Sequence, residues 1–373
     1  MNVFFKAFAA FLMLFAVGDA LAQHRGFDAS DPDVHDPVMA KGEDGRYYIF
    51  STGMGVGVMS SADMKTWRQE PSVFSFVPIK QEGEQDRRNM QIDWEKSTIP
   101  HWAVDSVRGY MGHTWAPDVA YNNGKWYLYY SCSTFGKNRS AIGVAVNKTL
   151  NPESKDFKWQ DLGPVVVSHQ HKDNWNAIDP NFIAAPDKDG HLANWLVYGS
   201  FWDGLQLIQL AQDMKTPVSE PRTIARRVGR KLSLSEIDDV AAFTIEGGDT
   251  IEAGENAIEA PFIIHRDGWY YLFVSWDYCC RGRNSTYKTV YGRSRSVEGP
   301  YLDKEGRDMA FGGGTYLVGP DDDFFGIGHC SAYEFDGQWY FVSHAYDIKK
   351  DGRSKLFLKK LLFDKEGWMK VER

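Results

Sequence analysis

Residues 124–131 read Gly-Lys-Trp-Tyr-Leu-Tyr-Tyr-Ser, and the same pattern returns four more times along the chain. The other copies are Gly45-Arg-Tyr-Tyr-Ile-Phe-Ser51, Asn194-Trp-Leu-Val-Tyr-Gly-Ser200, Gly268-Trp-Tyr-Tyr-Leu-Phe-Val-Ser275 and Gly337-Gln-Trp-Tyr-Phe-Val-Ser343. Each is shorter than a typical helix, starts at a Gly or Asn turn, and is rich in aromatic and β-branched residues, which is the strand signal. Recurrence at a spacing of roughly 70–80 residues marks a repeat architecture.

Some ten or more residues upstream of each run lies a short polar segment, usually beside a proline. In order these are His35-Asp36-Pro37, Ala116-Pro117-Asp118, Asp179-Pro180-Asn181, Glu259-Ala260-Pro261 and Gly328-His329-Cys330. If each repeat is one sheet and this segment enters its first strand, five polar side chains arrive at equivalent places around an axis. The chain therefore reads as all-β, a five-bladed β-propeller with a site on its axis.

The 373 residues carry a formal charge of −8, with 43% hydrophobic and 14% aromatic residues. That is enough apolar surface for a packed core. The balance argues against nucleic acid and anionic membrane partners, which call for basic patches. Lys6 followed by the apolar run 7–17 and by Ala20-Leu-Ala22 reads as a signal peptide over 1–22, cleaved before Gln23. The run falls short of the roughly 20 residues a membrane span requires. Residues 23–373 then form the propeller, secreted or periplasmic, with no membrane attachment after cleavage. An exported chain permits disulfides among Cys132, Cys279, Cys280 and Cys330, although the adjacent pair Cys279-Cys280 would make a strained bridge.

Two polar inserts interrupt the repeats, 77–112 before the second and 229–254 before the fourth. Long connections of this kind are more often functional than decorative. The first reads either as a wall beside a substrate groove or as a surface loop.

Three acids, Asp36, Asp179 and Glu259, stand in matched segments of three repeats. One such Asp-Pro pair alone would be an ordinary turn; three in register suggest chemistry. Glycoside hydrolysis needs a protonated acid for the leaving oxygen and a carboxylate that attacks or activates water. A third carboxylate nearby can raise the acid's pKa by repulsion and orient it. Asp118 lies near the same register and is expected to be structural, closing a strand-end turn.

The quoted segments, together with His113-Thr-Trp-Ala-Pro-Asp118, Ser131-Cys-Ser-Thr-Phe-Gly-Lys-Asn138, Asn176-Ala-Ile-Asp-Pro-Asn181, Gly199-Ser-Phe-Trp202, Cys279-Cys-Arg-Gly282 and Gly312-Gly-Gly-Thr315, resemble glycoside hydrolase family 43. Within it they look like the endo-α-1,5-L-arabinanases, and they span nearly the whole mature chain. The resemblance implies a five-bladed propeller that hydrolyses arabinan with inversion. Asp36 would be the general base, Glu259 the general acid, and Asp179 the pKa modulator. Base and acid carboxyls would stand roughly 6.5–9.5 Å apart to admit water. Gly136, Asn176, Ala177, Ile178, Ser200, Phe201 and Trp202 would contact substrate, with Trp115 a stacking platform. The resemblance also puts His329 beside a cation on the axis, commonly calcium, whose other ligands are mostly water. Gly326-Ile-Gly-His329 lacks the Pro expected between its glycines. Internal cleavage of arabinan is the leading expectation. An exo-acting arabinofuranosidase or β-xylosidase would follow if the inserts closed one end of the groove. A non-catalytic sugar-binding propeller is the reading from another class, and the presence of all three acids weighs against it.

Overall fold

The computed structural model describes residues 27–79, 91–229, 232–234, 242–245, 250–252 and 256–372, the three short pieces by backbone alone. The expected signal peptide lies outside the described residues. Five antiparallel sheets follow one another as the blades of a propeller. Their innermost strands are Val38–Lys41, His113–Asn122, Asn181–Pro186, Ile258–Arg266 and Phe324–Phe335, for blades I to V in order. Each of the five aromatic runs forms the second strand of its blade: Tyr47–Ser51, Lys125–Cys132, Leu192–Tyr198, Trp269–Trp276 and Gln338–Asp347. Among the described residues, no helix is long and apolar enough to cross a membrane.

The second strands are apolar along nearly their whole length because both faces are covered. Successive side chains of a strand point to opposite faces, so alternate residues enter different inter-blade cores. In blade II, Leu128 and Tyr130 join the core shared with Phe50 and Phe74, while Tyr129 enters the core with Phe182, Leu196 and Tyr198. Tyr129 stacks on Phe182 with ring centroids 5.8 Å apart, and Tyr130 meets Phe74 edge-on at 5.0 Å. Blade III repeats the division, with Trp195 and Val197 facing Leu272 and Val274 of blade IV. Each large side chain buried in this way contributes about 1.5–3 kcal/mol.

The Asp-rich lead-in closes the ring. Asp33 bridges to Lys355 in the third strand of blade V, Arg353–Phe363, whose far end pairs with Met369–Val371. Val34 N–H donates to the Ser354 carbonyl and Leu356 N–H to that of Pro32, both at 3.2 Å. Buried Lys355 reaches Asp33 at 2.8 Å, and Lys350 and Arg353 pair with Asp31 and Asp33. The lead-in thus completes the outer edge of blade V.

The described parts of the first insert, 77–79 and 91–112, are docked rather than loose. Pro78–Ile79 pair with Gln91–Ile92, and a short helix, His101–Ser106, follows. Ile99, Ala103, Val107 and Tyr110 are buried in the main core. The Thr134 hydroxyl donates to the Arg108 carbonyl at 2.7 Å and Arg139 Nε to that of Ser106 at 3.1 Å. Those partners lie between the second and third strands of blade II, at the end where the inner strands begin. The second insert is described only in the short strands Leu232–Leu234, Ala242–Ile245 and Thr250–Glu252.

Candidate active site

Where each inner strand is entered, one residue adopts the left-handed conformation: Asp36, Ala116, Asp179, Ala260 and His329, with φ between 35° and 58°. Register shifts in blades II, IV and V mark a bulge at the same place. Non-glycine residues rarely hold this conformation unless their surroundings impose it, and such residues cluster at functional sites. Here the preceding blade, taken around the ring, imposes it. The Ala116 N–H donates to Thr52 Oγ1 at 2.8 Å, that of Asp179 to Ser131 Oγ at 3.0 Å, and that of His329 to Ser275 Oγ at 2.7 Å. The Asp36 N–H donates to His344 Nδ1 at 3.1 Å, and that of Ala260 to Asp179 Oδ2 at 3.2 Å. Ser131 and Ser275 end repeat runs, while Thr52 and His344 directly follow Ser51 and Ser343. One recurring function of the strand ends is therefore to hold the bulges.

This geometry corrects the sequence register. Ala260, not Glu259, is the counterpart of Asp36 and Asp179. Glu259 precedes it by one residue and projects from the other side of the bulge. Asp118 is corrected too. It closes no turn but lies buried in the inner strand of blade II, accepting from the Phe182 N–H at 2.7 Å and from Asn181 Nδ2 at 3.3 Å, so that it ties blade II to blade III. Burial pushes its carboxyl up to about 7, against the hydrogen bonds it accepts.

Buried Asp36 sits among three imidazoles. Its Oδ2 accepts from the Thr52 hydroxyl at 2.5 Å and faces His35 Nδ1 at 2.8 Å; its Oδ1 lies 3.0 Å from His329 Nδ1 and 3.5 Å from His344 Nδ1. Burial alone would raise this carboxyl, but the charges and hydrogen bonds of His329 and His35 outweigh it and hold it well below the ordinary range. Burial likewise opposes charge on those two rings, yet Asp36 raises His35 well above its usual value and His329 to about 9. Burial, then the charge on His35, push His344 far down. It stays neutral, as its Nδ1 must to accept the Asp36 N–H. An anion flanked by two cations is the resting state of this corner.

On blade IV, Glu259 accepts from the Ser200 hydroxyl at 2.7 Å through Oε2 and from the Tyr287 hydroxyl through Oε1. Burial is the main cause lifting Asp179 well above its usual value, with Glu259 and Asp36 adding to it and His329 opposing. The sequence reading made Asp179 the source of a repulsion acting on Glu259. In the folded chain these carboxyls do repel one another, and burial together with that repulsion favours the protonated form of Asp179. The site thus contains a carboxylate poised to accept a proton, and two further buried carboxyls near enough for their charges to act on His329.

Of the other expected residues, Ser200 bonds Glu259, and Asn176, Ala177 and Ile178 directly precede Asp179. Asn176, Ala177, Ile178, Ser200 and Trp202 are buried, and Asn176 Oδ1 has no hydrogen-bond partner. Phe201 is half-buried, its ring 6.0 Å from that of Tyr278. Trp115 is half-buried and donates through Nε1 to His113 Nδ1 at 2.9 Å; Gly136 is exposed at φ 75°, beside exposed Phe135. Sequence reasoning missed Tyr287, Thr52, His344 and Tyr346. Tyr287 had one readable trace: a side chain on Gly328 would meet its ring at 2.3 Å, so the glycines before His329 make room for it.

For a cation, His35, Asp36 and His344 bring ligand atoms within 4.8 Å of one another, but those atoms are engaged with each other. His329 spends Nδ1 on Asp36 and keeps Nε2. This donor set fits a cation held by one imidazole nitrogen and otherwise by solvent. It does not fit a protein-built calcium cage of six to eight oxygens.

Comparison with known proteins adds to this geometry. The family model for glycosyl hydrolases family 43 matches residues 30–369. The exo-1,5-α-L-arabinanase from a bovine ruminal metagenomic library is similar in structure, with a TM-score of 0.78 and 53% sequence identity, covering 94% of this chain and 100% of that one. The extracellular exo-α-(1→5)-L-arabinofuranosidase ArbA of Cellvibrio japonicus (strain Ueda107) is 44% identical over 347 residues, 92% of this chain and 88% of its own. The extracellular endo-α-(1→5)-L-arabinanase 1 of Bacillus subtilis (strain 168) is 36% identical over 366 residues, 97% of this chain and 94% of its own.

Proposed function

The chain belongs to glycosyl hydrolases family 43, and from that premise we propose that it is an exported enzyme that hydrolyses α-1,5-linked arabinan with inversion, working inward from chain ends. The observation that carries the hydrolase reading is the anionic Asp36 with two buried carboxyls of different blades, all three acting on the charge of His329. In this scheme Glu259 gives a proton to the departing glycosidic oxygen. Asp36, kept anionic by His329 and His35, takes the proton of the attacking water. Asp179 positions Glu259 by holding the bulge at the adjacent Ala260. Asn176 Oδ1 offers a buried acceptor for a substrate hydroxyl, and Ser200, Phe201 and Trp202 line the same pocket.

Exo action is favoured over the internal cleavage expected from the sequence by two things. The described part of the first insert, 91–112, is packed onto the site-bearing end of blade II, where it can wall off one end of a groove. The relatives at 53% and 44% identity are named as exo-acting, while a relative named endo-acting is 36% identical. A product time course on linear α-1,5-arabinan tests this. We expect one short product from the earliest time point. A ladder of oligosaccharides at early times would overturn exo action and restore internal cleavage. Failure to cut arabinan or its oligosaccharides would overturn the substrate.

His329 Nε2 is proposed as the one protein ligand of a cation, which would displace the ring's second proton and supply in its place the positive charge that supports the anionic centre; no step above passes through it. Adding calcium after dialysis against a chelator is then expected to raise the thermal midpoint of the wild type and not of His329→Ala. An equal rise in both proteins would remove His329 from the proposal.

A further inference from the structure

The loop between the second and third strands of blade IV carries Cys279 and Cys280, both free and both partly exposed. It touches each side of the catalytic pocket. The Cys280 sulfur lies 3.6 Å from His35 Nε2, whose other nitrogen pairs with Asp36. Tyr287, at the far end of the loop, donates to Glu259. Cys280 is left-handed, at φ 62°, and is held so by its N–H donating to the Tyr346 hydroxyl at 2.7 Å; the same hydroxyl meets His35 Nε2 at 3.0 Å. The two thiols belong to adjacent residues, and each acts on the other's proton affinity.

From this geometry we infer that Cys279-Cys280 is a peroxide-sensitive modification site, at which oxidation to a vicinal disulfide slows hydrolysis. Three features support it. The Cys279 thiol is the largest cause lowering the Cys280 thiol, to about 6, with burial opposing it and the His35 charge assisting. A thiolate is the form that attacks peroxide. The resolving thiol is on the adjacent residue. In the first step Cys280 sulfur bonds to one peroxide oxygen, the O–O bond breaks, and the other oxygen leaves as water after protonation. In the second, Cys279 sulfur attacks Cys280 sulfur, the S–O bond breaks, and its oxygen leaves as water with the Cys279 proton. Two thiols lose two electrons, and one hydrogen peroxide becomes two waters.

The bridge must form across neighbouring Cα atoms about 3.8 Å apart, less than the span an unstrained disulfide prefers, so thiols reduce it readily. Making it draws the Cys280 sulfur off His35 and twists the backbone N–H that Tyr346 holds. The ring that positions Asp36 then loses two of its restraints, and a small misplacement of a catalytic group is costly. Cys132 and Cys330 serve as internal controls. Both are buried, and burial pushes their thiols up.

The test treats the intact protein with a few equivalents of hydrogen peroxide, then follows intact mass, the peptide spanning 279–280, and the rate on arabinan. Expected are loss of two hydrogens confined to that peptide and a fall in rate of about tenfold or more, both reversed by dithiothreitol. In Cys279→Ser the same dose should add oxygen to Cys280, because the first step survives and the second does not. In Cys280→Ser the rate should become insensitive to peroxide relative to its own untreated value. Oxidation of Cys132 or Cys330 first would overturn the site. So would thiols untouched by a dose that consumes free cysteine, or a bridged protein that works at the untreated rate. The mass readout does not depend on the hydrolase assignment, so failure of the site and failure of that assignment are told apart.

Discussion

Asp36→Asn should leave a folded protein whose kcat on arabinan falls by about 10²–10⁴-fold, the range carried by a general base, with KM changed by no more than about threefold. Asn is isosteric and keeps an oxygen for the Thr52 hydroxyl, so the left-handed bulge and the Asp36 N–H bond to His344 persist. What disappears is the negative charge. His35 and His329 owe their raised values to that charge, and without it burial leaves them free to shed their protons. The variant therefore carries no stranded buried cation. Asp179→Asn is the companion measurement. Asp179 already favours its protonated form, and an Asn oxygen can still accept the Ala260 N–H, so its loss should be nearer about tenfold. An Asp36→Asn enzyme within about tenfold of wild type, or an Asp179→Asn enzyme slower than it, would exchange the two roles or remove both.

The contrast between these two aspartates also shows how far the sequence could be read. The blades were legible because a turn followed by an aromatic run is decided locally, and five copies leave little freedom in how they pack. The level of the site was legible from the polar segments before those runs. The offset of Glu259 was not recognised, although it was there to be found. Aligning the repeats on Pro37, Pro117, Pro180 and Pro261 puts Asp36, Ala116, Asp179 and Ala260 in one column, and His35, Trp115, Ile178 and Glu259 in the column before. The bulge then turns adjacent columns to different sides. Thr52 and His344 were similarly within reach, each following the serine that ends a repeat run. Tyr287 left only the trace of the glycines before His329, and Tyr346 left none, because their roles depend on where a long loop folds back. Nor could the sequence tell that burial favours the protonated form of Asp179 while His329 and His35 hold Asp36 anionic.

The general-acid assignment makes the second large prediction, one that separates chemistry from binding. Glu259→Gln should reduce turnover on arabinan by about 10²–10⁴-fold, yet cost less than about tenfold on a nitrophenyl glycoside of the oligosaccharide the wild type releases. A sugar hydroxyl leaves only if its oxygen receives a proton in the transition state, whereas a nitrophenolate leaves without one. Removing the proton donor therefore weighs on one substrate and nearly spares the other, while removing a binding or structural group weighs on both. Gln is not a silent replacement, because Ser200 and Tyr287 donate to both oxygens of Glu259 and the amide nitrogen must face one donor with another. That mismatch costs about 1–3 kcal/mol of stability and should appear as a lower thermal midpoint with either substrate. Tyr287→Phe separates the effects from the other direction. It keeps the acid, frees one of its oxygens, and should slow arabinan hydrolysis more than aryl-glycoside hydrolysis, because the proton donor is then poorly aimed. If Glu259→Gln slowed both substrates equally, Glu259 would be a structural anchor of blades III and IV, and the proton would have to come from Asp179, the neighbouring carboxyl whose protonated form burial favours.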